Sequence, residues 1–280
     1  MVFGDSLVDS GNNNYVDTTL KADLPPYGID SPTGRPTGRF SNGRNFADLL
    51  PESPSPFLSP QLSGERLLYG ANFASGGVGI SNDTGIQLGN IIRMPEQIAS
   101  MERYQTQLAA VVGGEEQARK LVNRALFFIS LGTWDLVGNY FSPPFSARAG
   151  QSTVADFIDY LISEYAKILR RLVELNRELG SDIYVAANRY TIAYNFINNP
   201  DAYGFTEASV ACCGQGPYNG VGQCTPASNL CSNRDEYVYW DSYHPTERSA
   251  EAILEVILTG PPNVISSMNL NTMMAANTET

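Results

Sequence analysis

The sequence predicts an α/β protein: one parallel sheet with helices packed on both faces. Three observations predict it. Short apolar runs alternate with longer segments of helical period, the order expected of strand–helix units. Glycine-marked turns follow the apolar runs, where a chain leaves the carboxyl edge of such a sheet and where ligands bind. Finally, 280 residues with 42% hydrophobic and 17% charged side chains supply the core of a single domain over 1–280 and exclude a disordered tail or a coiled coil.

The elements follow in order. Val2-Phe3 reads as the end of a strand, as though upstream residues and any leader were absent. Leu7 to Ser41 is polar and loop-rich, with Pro25, Pro26, Pro32 and Pro36. Asn42 is placed to cap a short helix through Leu50, stopped by Pro51. Gly70 to Ser75 predicts a short buried strand running into Gly76-Gly77. Pro95 suits a first helical position, and Ile98, Met101, Leu108 and Val112 keep helical spacing up to Gly113-Gly114. Glu115 to Arg124 continues as helix. Ala125 to Leu131 is an apolar run that predicts a buried strand bounded by Gly132. Thr153 caps the longest helix, whose stripe is Phe157, Leu161, Tyr165, Ile168, Leu172 and Leu175, with Gly180 as its stop. Asp182 to Ala187 predicts a strand and Tyr190 to Asn198 a helix ended by Pro200. Tyr237 to Trp240 predicts a last short strand. Pro245 opens a final helix with Ile253, Leu254, Ile257 and Leu258 inward, closed by Gly260. Residues 266–280 form a polar, peripheral tail.

Charge narrows the partners. Eighteen Lys and Arg face 29 Asp and Glu, a net charge of −11. Such a surface repels phosphate backbones and anionic membranes, so no nucleic-acid partner is expected. No apolar run approaches the length needed to cross a bilayer. The N-terminus carries no basic and apolar leader.

The four cysteines, Cys212, Cys213, Cys224 and Cys231, fall in one loop-like stretch rich in Gly, Asn, Pro and Ser. Their gaps of 0, 10 and 6 intervening residues do not suit zinc, and no histidine is near, so no metal or other cofactor is expected. Two disulfides are favoured over four reduced thiols, which implies an oxidising compartment and secretion. A bridge between adjacent cysteines would strain the peptide. Two pairings remain open: Cys212–Cys224 with Cys213–Cys231, or Cys212–Cys231 with Cys213–Cys224. Asn82-Asp83-Thr84 is a glycosylation sequon with Asn82 as acceptor, compatible with secretion.

The chain has one histidine, His244, so any imidazole chemistry must use it. Asp241 precedes it by three residues, close enough for one tight turn to bring the carboxylate to Nδ1–H. That would fix the tautomer and leave Nε2 as a base. The helix expected after Pro245 would present the positive end of its dipole and disfavour imidazolium. At the other end of the chain, Gly4-Asp5-Ser6 puts a serine directly after a strand, where Gly4 permits a tight turn. Ser6, His244 and Asp241 thus compose a nucleophile–base–orienter set that only the fold can unite. An acyl-transfer site also needs donors for the developing oxyanion. The Ser6 backbone N–H is one, and Gly76, in Ala74-Ser75-Gly76-Gly77, is a second. A phosphate-binding doubly wound domain is the weaker reading, because no phosphate loop is present.

Several blocks, in order along nearly the whole chain, carry a resemblance. They are Phe3-Gly4-Asp5-Ser6-Leu7-Val8-Asp9-Ser10-Gly11-Asn12-Asn13, Gly38-Arg39-Phe40-Ser41-Asn42-Gly43, Gly70-Ala71-Asn72-Phe73-Ala74-Ser75-Gly76-Gly77, Asn199-Pro200, Tyr203-Gly204-Phe205, Cys212-Cys213-Gly214, and Trp240-Asp241-Ser242-Tyr243-His244-Pro245-Thr246-Glu247. The sequence resembles the plant-type GDSL esterase/lipases of the SGNH hydrolase superfamily. That resemblance implies a flavodoxin-like sheet, a serine nucleophile, no metal and secretion. The Gly-x-Ser-x-Gly signature of the other large hydrolase group is absent. Two positions depart from the pattern. The family's Gly-x-Asn-Asp block, whose Asn amide is a third oxyanion donor, reads Gly132-Thr133-Trp134-Asp135 here. The Trp134 indole is a doubtful replacement, and Thr133 and Asn139 are the nearby alternative donors. Asn188 stands where relatives often carry Asp.

The expectation is therefore a secreted serine ester hydrolase, its oxyanion hole weakened at Trp134, acting on a small-molecule, lipid or acetylated-polysaccharide ester. The alternative is an ester- or glycan-binding protein of the same fold with impaired catalysis, since an aromatic face stacks on sugars and apolar chains.

Overall fold

The computed structural model describes residues 1–50, 52–141, 146, 148–175, 185–266 and 268–278. The chain divides into two compact units, one of Met1–Asp23, Thr37–Phe40 and Leu50–Leu179, the other of Leu24–Pro36, Ser41–Leu49 and Gly180–Thr280.

The first unit is built on short parallel segments. Strand β1 (Val2–Gly4) pairs in parallel with β2 (Phe128–Ser130), with Phe3 opposite Ile129. On the other edge of β1 the predicted strand at Gly70 to Ser75 runs alongside. Val2 N–H donates to Ala71 O at 3.1 Å, Phe73 N–H to Val2 O at 2.8 Å and Ser75 N–H to Gly4 O at 3.0 Å. This segment forms no regular strand. The Asn72 side chain accepts from Ala74 N–H at 2.9 Å and donates to Val8 O, and such local bonds compete with a ladder. Likewise, only the centre of the predicted strand at Ala125 to Leu131 is extended and paired.

Helix α1 (Met94–Val112) starts one residue before Pro95, with Glu96 accepting the Arg93 N–H, and ends at Gly113 in the left-handed conformation. Helix α2 (Glu115–Asn123) follows. The core joins Phe3, Phe73, Met101, Tyr104, Leu108 and Val122, the face that the helical spacing marked. Helix α3 (Val154–Leu175) is the longest, and Thr153 caps it by accepting Asp156 N–H at 3.2 Å. The stop expected at Gly180 lies outside the described residues.

In the second unit, β3 (Ala186–Ala187) pairs antiparallel with β6 (Ile265–Ser266); most of the strand expected from Asp182 lies outside the described residues. Helix α4 (Arg189–Asn198) is capped by Asn188, whose Oδ1 accepts Thr191 N–H at 3.1 Å. A small hairpin joins β4 (Cys213–Gly214) to β5 (Asn229–Leu230). Helix α5 (Glu247–Thr259) precedes β6, and α6 (Leu270–Thr278) closes the described chain. Leu270 and Met273 are buried, so the stretch from 266 contributes side chains to packing.

Two further expected elements are absent. Asn42 to Leu50 is a run of turns, not a helix. Its would-be cap is used elsewhere: Asn42 Oδ1 accepts the Glu247 N–H at 2.8 Å and Nδ2 donates to Asp30 at 2.9 Å. Tyr237 to Trp240 makes isolated bridges from Tyr237 to Glu207 and from Tyr239 to Pro245 rather than a strand. A proline partner has no N–H to extend a ladder. Helix α5 starts after Pro245 rather than at it, because Thr246 is its cap, accepting Ser249 N–H at 3.1 Å. Among the described residues no helix is long and apolar enough to cross a membrane.

Candidate active site

Asp241 and His244 occupy one tight loop. Trp240 N–H donates to His244 O at 2.8 Å, and the Tyr239–Pro245 bridge closes the loop's base. The Asp241 carboxylate faces inward. Its Oδ1 lies 2.7 Å and its Oδ2 2.9 Å from His244 Nδ1. Oδ1 also accepts the backbone N–H groups of Tyr243 and His244, each at 2.9 Å. Both side chains are buried, Asp241 2% and His244 3% exposed. Burial pushes the Asp241 carboxyl up, but the facing imidazole and the hydrogen bonds from His244, Tyr243 and Tyr27 hold it below its ordinary value. The carboxylate therefore stays ionised and binds Nδ1 as the proton-bearing nitrogen, leaving Nε2 as the basic one.

Sequence reasoning missed Tyr27. Its hydroxyl donates to Asp241 Oδ2 at 2.8 Å. Burial and the adjacent Asp241 charge raise this phenol well above its usual value, so it remains a donor. The only sequence sign was its position after Pro25-Pro26, which says nothing of a target 214 residues away.

Ser6 lies in the first unit on the turn that leaves β1. Gly4 has φ of +139°, and a Cβ there would sit 2.0 Å from Ser130 O, so only glycine ends β1 this way. Asp5 N–H donates to Ser130 O at 3.0 Å, and Val8 and Asp9 N–H donate to Asp5 O. Gln97, buried on α1, brackets Gly4: its Oε1 accepts Gly4 N–H and its Nε2 donates to Gly4 O, both at 2.9 Å. The support of the Ser6 turn is thus fixed from β2 and from α1. Ser6 itself is 8% exposed.

Gly76, the second oxyanion donor expected, has its N–H engaged within the protein. Its N–H donates to Asp9 Oδ2 at 3.2 Å and to Asn13 Oδ1 at 3.0 Å. Asp9 also accepts Gly11 N–H at 2.8 Å and Asn12 N–H at 2.7 Å. The loops after β1 and after Ser75 are therefore knitted together by buried Asp9 and Asn13, neither of which sequence reasoning singled out beyond its place in a block.

Trp134 is buried, and its indole lies over Gly138, where a Cβ would come within 2.4 Å of the ring. A turn of π-helix over Asp135–Tyr140 follows. Asp135 accepts Ile80 N–H at 2.7 Å, Ser81 N–H at 2.9 Å and Thr84 Oγ1–H at 2.7 Å. The alternative donor Asn139 gives its amide to Thr84 Oγ1 at 3.0 Å. Asn82 is exposed. A cavity of about 450 Å³ in this unit is lined by Val78, Ile80, Met94, Ile98 and Ile168 among others; the sequon residue Asn82 is part of its lining, and the predicted catalytic and oxyanion residues are not.

The cysteines form two bridges, Cys212–Cys231 and Cys213–Cys224, one of the two pairings left open by the sequence. Cys212 N–H donates to Tyr239 O at 2.9 Å and Cys213 N–H to Trp240 O at 2.7 Å, so the bridged loop backs the segment that carries Asp241.

A family model described as GDSL-like Lipase/Acylhydrolase matches residues 1–257. Among similar proteins are two from Arabidopsis thaliana, GDSL esterase/lipase LTL1, 47% identical, and GDSL esterase/lipase At4g28780, 45% identical; each alignment covers 98% of this chain and 90% of the relative. A third, GDSL esterase/lipase At5g18430, is 45% identical over 98% of this chain and 91% of its own length. The LTL1 alignment runs over 329 positions against 280 residues here, so the relative carries internal residues with no counterpart in this chain. By that family match and those relatives, the chain belongs to the GDSL-like lipase/acylhydrolase family.

Proposed function

We propose that the protein is a secreted carboxylic ester hydrolase in which Ser6, His244 and Asp241 act together. The observation that carries the reading is the buried Asp241–His244 pair at 2.7 Å, in a chain whose sole histidine it uses. Ser6 Oγ attacks the acyl carbonyl while His244 Nε2 takes its proton. The tetrahedral intermediate collapses, the ester C–O bond breaks, and His244 returns the proton to the departing alcohol. Water, deprotonated by the same imidazole, then hydrolyses the acyl-serine. Asp241 holds the tautomer and stabilises the transient imidazolium.

For the oxyanion we assign the Ser6 backbone N–H as principal donor. Gly76 is a weaker second, because its N–H already serves Asp9 and Asn13. Trp134 replaces the family amide with a buried indole, and losing one such donor costs roughly 10²–10³ in turnover, so slow hydrolysis is expected. The chain acts as a single doubly wound domain with a parallel sheet. Two disulfides and the exposed sequon Asn82 support an extracellular setting. The substrate is an ester of a lipid, an acetylated polysaccharide or a small molecule, and the acidic surface argues against nucleic acid.

A fluorophosphonate probe tests this directly. It should label Ser6 in folded protein, and Ser6→Ala should abolish labelling and p-nitrophenyl ester hydrolysis. Folded protein that neither reacts nor hydrolyses any ester of a chain-length series leaves the second reading, a binder. Trp134 motivates that reading, and Trp134→Asn would then be expected to restore turnover.

A further inference from the structure

We propose that Tyr27 is a positioning residue of the Asp241–His244 pair, held on target by the disulfide-bridged loop; the inference rests on the ester-hydrolase reading for its kinetic consequence but not for its structural one. Tyr27 Oη donates to Asp241 Oδ2 at 2.8 Å. The same hydroxyl is contacted by the backbone N–H of Cys224, which is bonded to Cys213, whose own N–H is tied to Trp240 O at 2.7 Å. Donor, phenol, carboxylate and imidazole thus form one line: Cys224 N–H, Tyr27 O–H, Asp241 carboxylate, His244 Nδ1–H. Every member is buried, and Tyr27 is only 2% exposed. The Tyr27 ring also meets Trp240 edge-on, with centroids 6.1 Å apart, so the phenol has little freedom to swing away.

The physical role follows from competition for one carboxylate. Oδ2 faces both the phenol and Nδ1, at 2.8 and 2.9 Å. The Tyr27 proton draws charge from Oδ2 and pins the plane of the carboxylate, so Oδ1 keeps its 2.7 Å contact with Nδ1. Removing the phenolic proton leaves a carboxylate with one donor fewer, which grips Nδ1–H harder but is less firmly oriented. Charge-assisted bonds of this kind are among the stronger ones.

The single histidine makes the test clean, because selective ¹⁵N-histidine labelling yields one imidazole. Tyr27→Phe should move the His244 Nδ1–H resonance downfield. In the same variant kcat for a p-nitrophenyl ester should fall about tenfold, the loss expected for one charge-assisted hydrogen bond, while KM stays within about twofold. Site-specific 3-fluorotyrosine at position 27, a stronger donor of nearly the same shape, should move the resonance upfield, and it keeps the test open where the Phe variant fails to fold. An unchanged Nδ1–H signal in both variants, or a Phe variant that raises KM alone, would overturn the assignment. The resonance is read without any ester, so an inactive wild type would refute the hydrolase reading and leave this test standing.

Discussion

At the scale of single residues the most informative group outside the proposed catalytic set is Asp9. Burial pushes its carboxyl from 3.8 up to about 6, although the N–H groups of Gly11, Asn12, Gly76 and Asn13 pull the other way. A carboxyl raised in the folded state binds its proton more tightly there than in the unfolded chain. Its contribution to stability is therefore fully present below the unfolded value and is lost as pH rises through about 6. Asp9→Asn does not titrate. Relative to wild type, the variant should gain about 2 kcal/mol between pH 4 and pH 7, as read by urea unfolding at each pH; a flat difference would show that Asp9 ionises like an exposed carboxylate. Asp241 and His244 were legible as a pair because three residues of separation and a proline allow little but a tight loop. Asp9, Asn13 and Tyr27 were not, since their partners lie on distant segments and no local pattern encodes a distant hydrogen bond.

At the scale of elements, the end of β1 depends on one polar side chain on the buried face of α1. Gln97 satisfies both Gly4 N–H and Gly4 O and also donates to Ile92 O at 2.9 Å. Gln97→Met keeps the volume but strands these buried backbone groups. The expected cost is about 2–4 kcal/mol by chemical denaturation, with a fall in fluorophosphonate labelling of Ser6 in the protein that remains folded. Undiminished stability would mean that water or a neighbour replaces the amide. The helices with clear apolar stripes, α1, α3 and α5, were readable because packing follows a 3.6-residue period. Short segments were not. Asn42 looked like a local cap, yet its carbonyl serves the first N–H of α5. Tyr237 to Trp240 has strand-like composition but bridges a proline. In both cases a tertiary partner outcompeted the local signal, as it does wherever propensity is weak.

At the scale of the whole molecule, the cysteine-bearing loop shows how a feature legible only as chemistry gains a structural purpose. The sequence indicated two bridges and left their pairing open, because pairing depends on where the folded loop brings Cys224 and Cys231, which no local pattern encodes. The Cys213–Cys224 bridge lies within the loop closed by Cys212–Cys231, with sequence separations of 11 and 19. Loops of this size are worth about 3 kcal/mol each in the chain-entropy account, and because the two are nested their effects should be less than additive. Reduction should therefore lower the unfolding free energy by about 3–5 kcal/mol. It should also release the hydrogen bonds to Tyr239 and Trp240, and with them the loop of Asp241 and His244, before the first unit unfolds. Two readouts separate these events: the single imidazole signal should broaden at lower denaturant than the loss of far-ultraviolet ellipticity, and only in the reduced protein. If both transitions coincide with and without reductant, the bridges merely restrain the unfolded chain and do not hold the Asp241–His244 loop in place.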